Sequence, residues 1–212
     1  MIAGPPSPMF PLGSVLLPSA VLPLHVFEPR YCDMVEACLA GEGTFGVTLI
    51  ERGSEVGGGE VRSDVGTLAR IAEAEQFDDG RWGVIAVGTR RIRVLRWLPD
   101  DPYPIAEIEP WLEPPVDHPL TDRYAEMTAA FQRVLSLGHE LGDPLPPTTA
   151  PLSDDPVVGS YQAAVLAPLG PFDRQRVLLA LDAAARIDLV EELMGELEAT
   201  YRARLSLGGS SP

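Results

Sequence analysis

The chain has 212 residues, of which 45% are hydrophobic, and it carries a formal charge of −15. That is enough chain to bury a core, and no apolar run approaches the roughly 18–20 residues that a membrane helix needs. Nucleic-acid binders draw most of their affinity from basic stripes that neutralise phosphates, so this acidity, with Arg90, Arg91, Arg93 and Arg96 as the one basic cluster, speaks against nucleic acid and anionic membranes as partners.

The opening residues, MIAGPPSP, have neither a basic stretch nor an apolar core, so no secretory leader is expected and a cytoplasmic location is the default. Residues 10–17 and 21–28 are apolar runs split by Pro18-Ser19-Ala20. Prolines at 11, 18, 23 and 29 confine them to short strands at starts, edges or bulges. A helix is expected over about 30–40, with Tyr31, Met34, Val35, Cys38 and Leu39 at core spacing and Gly41 and Gly43 as stops. Residues 45–50 read as a buried strand, and 52–62, containing Gly57-Gly58-Gly59, as a mobile loop. A strand over 65–77 ends in the hairpin signal Asp78-Asp79-Gly80. Strands over 82–87 and 89–97 follow, with a bulge or bend at Gly88, and Asp100-Asp101-Pro102 turns the chain into a last strand within 103–112.

From about Pro119 the period becomes helical. Residues 120–141 carry Tyr124, Met127, Phe131, Val134, Leu135 and Leu141 on one stripe, with Thr121 or Asp122 as N-cap and Gly142-Asp143-Pro144 as stop. A proline-rich connector, 144–151, precedes a helix capped by Asp154 or Asp155 and running to about 166. Pro171-Phe172-Asp173 introduces a short helix over about 174–181. The last helix, about 183–205, sets Ile187, Val190, Met194, Leu197 and Tyr201 at spacings of three and four, opposite Glu191, Glu192, Glu196 and Glu198. The expected division is a β-rich part over 1–117, a helical part over 118–206 and a flexible tail over 207–212.

The chemistry-bearing residues are sparse. All sixteen basic residues are arginine, which removes the Walker A lysine, a Ser-Lys dyad and Schiff-base catalysis. No GxSxG elbow or activated cysteine occurs, so no catalytic residues and no cofactor are expected. Cys32 and Cys38 lie about 1.7 helical turns apart, on nearly opposite faces, and read as buried small hydrophobes rather than a disulfide or zinc pair. His25 reads as a hydrogen-bonded structural histidine, His118 as a turn residue, and His139 as a charge suited to a helix C-terminus. None has metal-ligand spacing. Trp82, Trp97 and Trp111 read as barrel core, although a partly exposed tryptophan would mark a binding face. Glu28 and Arg30 are expected to fix the strand-to-helix corner.

Four segments carry a resemblance in combination: FPLGSVLLPSAVLPLHVFEPRY over 10–31, FGVTLI over 45–50, VGTLARI over 65–71 and VGTRRIRV over 87–94. Together the chain resembles the Lon protease N-terminal, substrate-binding domain family across residues 8 to 205. The resemblance implies an α+β fold, a PUA-like β pseudo-barrel followed by a C-terminal helical bundle. It also implies protein or peptide binding without catalysis, in an adaptor for proteolysis or quality control whose partners are proteins or unfolded peptides, a protease or a chaperone. The expected site is the seam between barrel and bundle, with the 52–63 loop as lid and Phe27, Tyr31, Trp97 and Trp111 as apolar contacts. Full burial of all four would defeat that site. Two alternatives stand beside it. A closed pocket of about 300 Å³ or more around His25 or Arg91 would indicate a small-ligand sensor or weak hydrolase. An exposed apolar helix face would indicate a structural subunit that dimerises through its helices.

Overall fold

Prolines and close backbone contacts decide where the first elements stop. In the computed structural model, which describes residues 6–52, 61–116 and 118–208, β1 (Ser7–Leu12) begins ahead of the first apolar run and stops within it, and β2 (Val21–Val26) is shorter than the run that contains it. Val15, Leu16 and Leu17 between them are buried without belonging to a strand. Helix α1 (Pro29–Ala40) begins with proline at its first turn, where a missing N–H costs nothing, and buries Tyr31, Met34, Val35 and Cys38. Leu39, expected in that set, is exposed. The sheet continues through β3 (Thr44–Arg52), β4 (Val61–Gln76), β5 (Trp82–Trp97) and β6 (Ile105–Pro110). Gly57-Gly58-Gly59 and most of the expected 52–63 loop lie outside the described residues.

The strand order is β2-β5-β4-β3-β1-β6, and β6 also pairs with β5. β5 makes this closure possible. Its first half, Trp82–Val87, pairs with β2, its second half, Ile92–Trp97, pairs with β6, and β4 runs along its other side. β5, β4, β3, β1 and β6 thus form a ring, and β2 lies outside it, paired with β5 alone among the described strands. β1 and β3 are parallel; the other pairings are antiparallel. The bulge falls where Leu68 faces Arg90 but Ala69 faces Gly88, leaving Thr89 over. Its hydroxyl donates to the Leu68 carbonyl at 2.8 Å. Gly88 is required there because a side chain would strike the Leu17 carbonyl oxygen, and the Gly88 N–H donates to Ala20 O at 2.9 Å.

Met9, Leu68, Ile92, Val94 and Ala106 form the core cluster inside the ring. Phe10 stacks on Tyr31 with centroids 4.2 Å apart and tilts against Phe45 at 6.1 Å. The packing leaves no free volume at Gly46: a Cβ there would lie 2.5 Å from the Met9 sulfur and 2.9 Å from Ile92 Cδ1.

The chain divides into two compact units, Met1–Leu112 and Glu113–Pro212. The second holds α2 (Thr121–Glu140), α3 (Pro156–Leu166), α4 (Pro171–Leu179) and α5 (Ala183–Gly208). Met127, Phe131, Val134 and Leu135 of α2 are buried, as are Ile187, Val190, Leu193 and Met194 of α5. Asp155 caps α3, its carboxylate accepting the Val157 N–H at 2.9 Å. At α2 the N-cap position is Leu120, with no side-chain cap, rather than Thr121 or Asp122. Asp122 instead sits in the first turn, where a negative charge suits the helix dipole. α4 starts three residues earlier than the sequence suggests, at Pro171, and α5 continues to Gly208 through part of the expected tail. Glu198, expected on the solvent face of α5, is buried. Its carboxylate is held by Arg133 at 3.2 Å and Arg202 at 2.6 Å. A mixed six-stranded pseudo-barrel followed by helices is the α+β architecture expected from the sequence.

Candidate protein-binding face

β2 alternates strictly, so Val21, Pro23 and His25 share one face and Leu22, Leu24 and Val26 the other. The ladder register extends that outer face across three strands. His25 faces Gly83, which faces Glu75; Pro23 faces Ile85, which faces Glu73; Val21 faces Val87, which faces Arg70. At the end of β4 the Asp78-Asp79-Gly80 hairpin turns, with Gly80 at φ 84°, and Phe77 lies back over Gly83. Its ring sits 3.3 Å from the point where a Gly83 Cβ would stand. The His25 ring meets Phe77 edge-on at 6.0 Å and Phe27 at 6.4 Å. Phe27, His25 and Phe77 therefore form a row of rings, with Phe27 59% and Phe77 41% exposed.

Two hollows flank the end of β2. One, about 500 Å³ and open to solvent, is lined by Pro23, Leu24, His25, Glu73, Glu75 and Ile85 among others. The other, about 130 Å³, includes Phe10, Leu24, His25, Phe27 and Tyr31 in its wall. Leu24 and His25 line both, so the two hollows adjoin at the end of β2. Nearby cations are already engaged: Arg81 pairs with Asp79 at 2.6 Å, and Arg30 pairs with Glu28 at 3.1 Å while lying over the Tyr31 ring. Glu73 and Glu75 are exposed and form no ion pair with a described residue.

The four aromatic contacts expected from the sequence are distributed unevenly. Phe27 is exposed in the row of rings, whereas Tyr31 is 3% exposed, stacked on Phe10. Trp97 is half-buried against the core cluster, and Arg62, itself paired with Asp100 at 2.9 Å, lies 4.6 Å over its ring. Trp111 lies between Arg91 and Arg93, at 4.4 and 4.6 Å. Phe27 and Tyr31 share the smaller hollow, which neither tryptophan lines. His25 differs from the expected structural histidine: an edge strand leaves it exposed, touching two phenyl rings. Phe77, Glu73 and Glu75 were not singled out from the sequence. Their signal is the alternation in 71–77, IAEAEQF, running straight into a hairpin turn.

Of the other chemistry-bearing groups, Cys38 and Arg91 are buried, while Cys32, expected to be buried too, is only partly so. The Cys38 thiol donates to Thr44 O at 3.4 Å, and burial pushes its pKa up to about 11. Cys32 is raised by burial and then by Asp33 and Glu36, so both are poor nucleophiles. Arg91 is buried against Trp111, and the hollow beside His25 is open rather than closed. Among the described residues no group of His, Cys, Asp and Glu is placed to hold a metal ion, and no helix is long and apolar enough to cross a membrane.

Arg186, fully buried in the helical unit, also escaped the sequence reading, although it falls at a core position between Ala183 and Val190. Its Nε donates to Ser160 Oγ at 2.9 Å. Nη1 reaches Glu113 at 2.6 Å and the Tyr161 hydroxyl at 3.1 Å, and Nη2 reaches Val157 O at 3.1 Å. The Tyr161 ring lies 3.9 Å from the guanidinium carbon.

Comparison with known proteins brings in one family. The chain matches the family model of the ATP-dependent protease La (LON) substrate-binding domain over residues 7–196. It is similar to Lon protease 2 of Sorangium cellulosum, with 30% identity over 200 residues and 89% of this chain covered. It is also similar to the Lon protease of Koribacter versatilis, with 26% identity over 198 residues and 90% covered. The match spans 24% of the length of each of these curated relatives. Among solved structures, the Lon N-terminal domain protein from Xanthomonas campestris is 31% identical with a TM-score of 0.66, covering 86% of this chain and 95% of that one. The N-terminal domain of Mycobacterium avium complex Lon protease shares the fold at 15% identity and a TM-score of 0.61, covering 90% and 98%.

Proposed function

The chain belongs to the Lon substrate-binding domain family, and from that premise we propose that it holds polypeptide on the outer face of β2, β5 and β4. It acts as a non-catalytic binding module in proteolysis or protein quality control, in the cytoplasm, taking proteins or unfolded peptides and presenting them to a protease or chaperone. The chain contains no lysine, so a Ser-Lys dyad is not available to it.

What carries this is the row Phe27–His25–Phe77 beside the 500 Å³ hollow. Single exposed apolar residues are ordinary, but contiguous ones around a concavity mark an interaction surface, and aromatic rings dominate such surfaces energetically. Phe27 is the direct contact, and Tyr31 supports it from the wall of the smaller hollow. Trp97 and Trp111 already carry guanidinium groups on their rings, which supports packing rather than direct contact for them.

The test is fluorescence anisotropy with a permanently unfolded, reduced and alkylated protein as the probe. A Phe27→Ser, Phe77→Ser double variant with wild-type circular dichroism should bind at least about tenfold more weakly. Unchanged binding would remove this face from consideration.

A further inference from the structure

Resting on that assignment, we propose that the face selects extended segments that place an arginine or lysine beside an aromatic or aliphatic side chain. Three features of the face point to this chemistry.

The first is charge. Glu73 and Glu75 stand two apart on β4, about 7 Å from each other along the strand, and both face outward toward the hollow. Like charges this close repel, and neither is relieved by an ion pair with a described residue. Two neighbouring cations, Arg81 and Arg30, are held by Asp79 and Glu28. Arg70 lies in the next row, with Val21 and Val87, so the acidic character is confined to the rows of Pro23 and His25. A ligand cation seated there would meet two carboxylates whose charge the fold leaves uncompensated, and complementarity of this kind sets specificity and capture rate.

The second is geometry. Each carboxylate shares a cross-strand row with an apolar or aromatic group: Glu75 with Gly83 and His25, Glu73 with Ile85 and Pro23. Phe77 and Phe27 extend the His25 row. A cation lodged at the carboxylates therefore places its neighbour in sequence over the rings.

The third is the edge itself. Among the described strands β2 pairs with β5 only, and it carries Pro23. A strand edge interrupted by proline is a poor template for an added strand. Recognition thus falls to side chains lying across the face rather than to main-chain pairing along β2.

Three peptides of about eight residues, alike in apolar content and differing only in whether the charged positions are Arg, Gln or Glu, test this against the full chain by anisotropy. At low ionic strength the Arg peptide should bind roughly three- to tenfold tighter than the Gln peptide, and the Glu peptide weakest of all. Added salt should narrow the spread. Glu73→Gln, Glu75→Gln should equalise the Arg and Gln peptides. Equal binding of all three to the wild type, or a preference that survives the double glutamine variant, would overturn the charge selectivity while the face stands. Binding of all three that is indifferent to Phe27→Ser, Phe77→Ser would overturn the face itself. A dimer seen by sedimentation and abolished by that same variant, with no peptide bound, would assign the face to a second copy of the chain and overturn the proposal.

Discussion

The outer face of β2, β5 and β4 and the cluster around Arg186 depart from ordinary burial in opposite directions. The face leaves phenyl rings in water, while the helical unit takes a guanidinium fully out of it. They differ in saturation. Arg186 meets an acceptor on every side, a carboxylate, two hydroxyls and a carbonyl, and a ring lies over it. Each guanidinium nitrogen has an acceptor, so its role is to tie α5 to α3 and to Glu113. The face has exposed rings and carboxylates that form no ion pair with a described residue. A group out of its usual environment signals structure when its partners are complete and function when they are missing.

Substitutions should separate the two regions by what they change. The largest effect is expected from Arg186→Ala, which leaves a cavity where a fully buried side chain stood and takes the guanidinium from the partly buried Glu113 carboxylate. A loss of about 3–5 kcal/mol is expected by urea denaturation, and Arg186→Met, which refills the volume, should lose less. Next, Tyr161→Phe removes one of the hydroxyl acceptors but keeps the ring, and should cost about 0.5–1.5 kcal/mol. A cost near zero would show that the Tyr161 hydroxyl adds nothing to the hold on Arg186.

On the face the order reverses. Phe27→Ser and Phe77→Ser should alter stability by no more than about 0.5 kcal/mol while weakening polypeptide binding at least about tenfold. A large stability loss would mean that the rings are packing after all. Gly83→Val tests the same row by steric means. The added side chain must push the Phe77 ring away, so binding should fall while the urea midpoint hardly moves.

The smallest effect concerns an exposed, fully partnered pair. Asp143 is bonded to Arg204 at 2.8 and 3.1 Å, and the guanidinium hydrogen bond holds its pKa below the usual carboxylate value. Because the folded-state pKa is the lower one, the stabilisation is present above the unfolded value near 4 and is lost as pH falls through the folded one. Asp143→Asn should flatten that part of the acid limb in pH-dependent denaturation and leave the slope near neutrality unchanged.

Much of the fold could be read from the chain because its signals are local. Proline spacing marked β1 and β2 as short, Asp-Asp-Gly marked the β4–β5 hairpin, and Gly88 marked the bulge that Thr89 completes. Asp155 before Pro156 marked the α3 cap. Local signals misled where a neighbour intervened. Leu120 rather than Thr121 occupies the α2 N-cap position, and Glu198 is drawn inward by Arg133 and Arg202.

The proposed binding face was only partly legible. Phe27 stood out, but Tyr31, four residues on, is sealed by Phe10 from a different strand. His25 and Phe77 are far apart in sequence and meet only because β2 pairs with the strand that Phe77 folds over.

By itself the sequence determined the element types and order, the family and the absence of lysine chemistry, because backbone propensity, turn residues and residue inventory are properties of short stretches. Only the tertiary structure decided which aromatics face solvent, which carboxylates go unpaired and which arginine is buried. Exposure and pairing depend on what lies alongside in space, and in this chain those neighbours come from strands and helices tens of residues away.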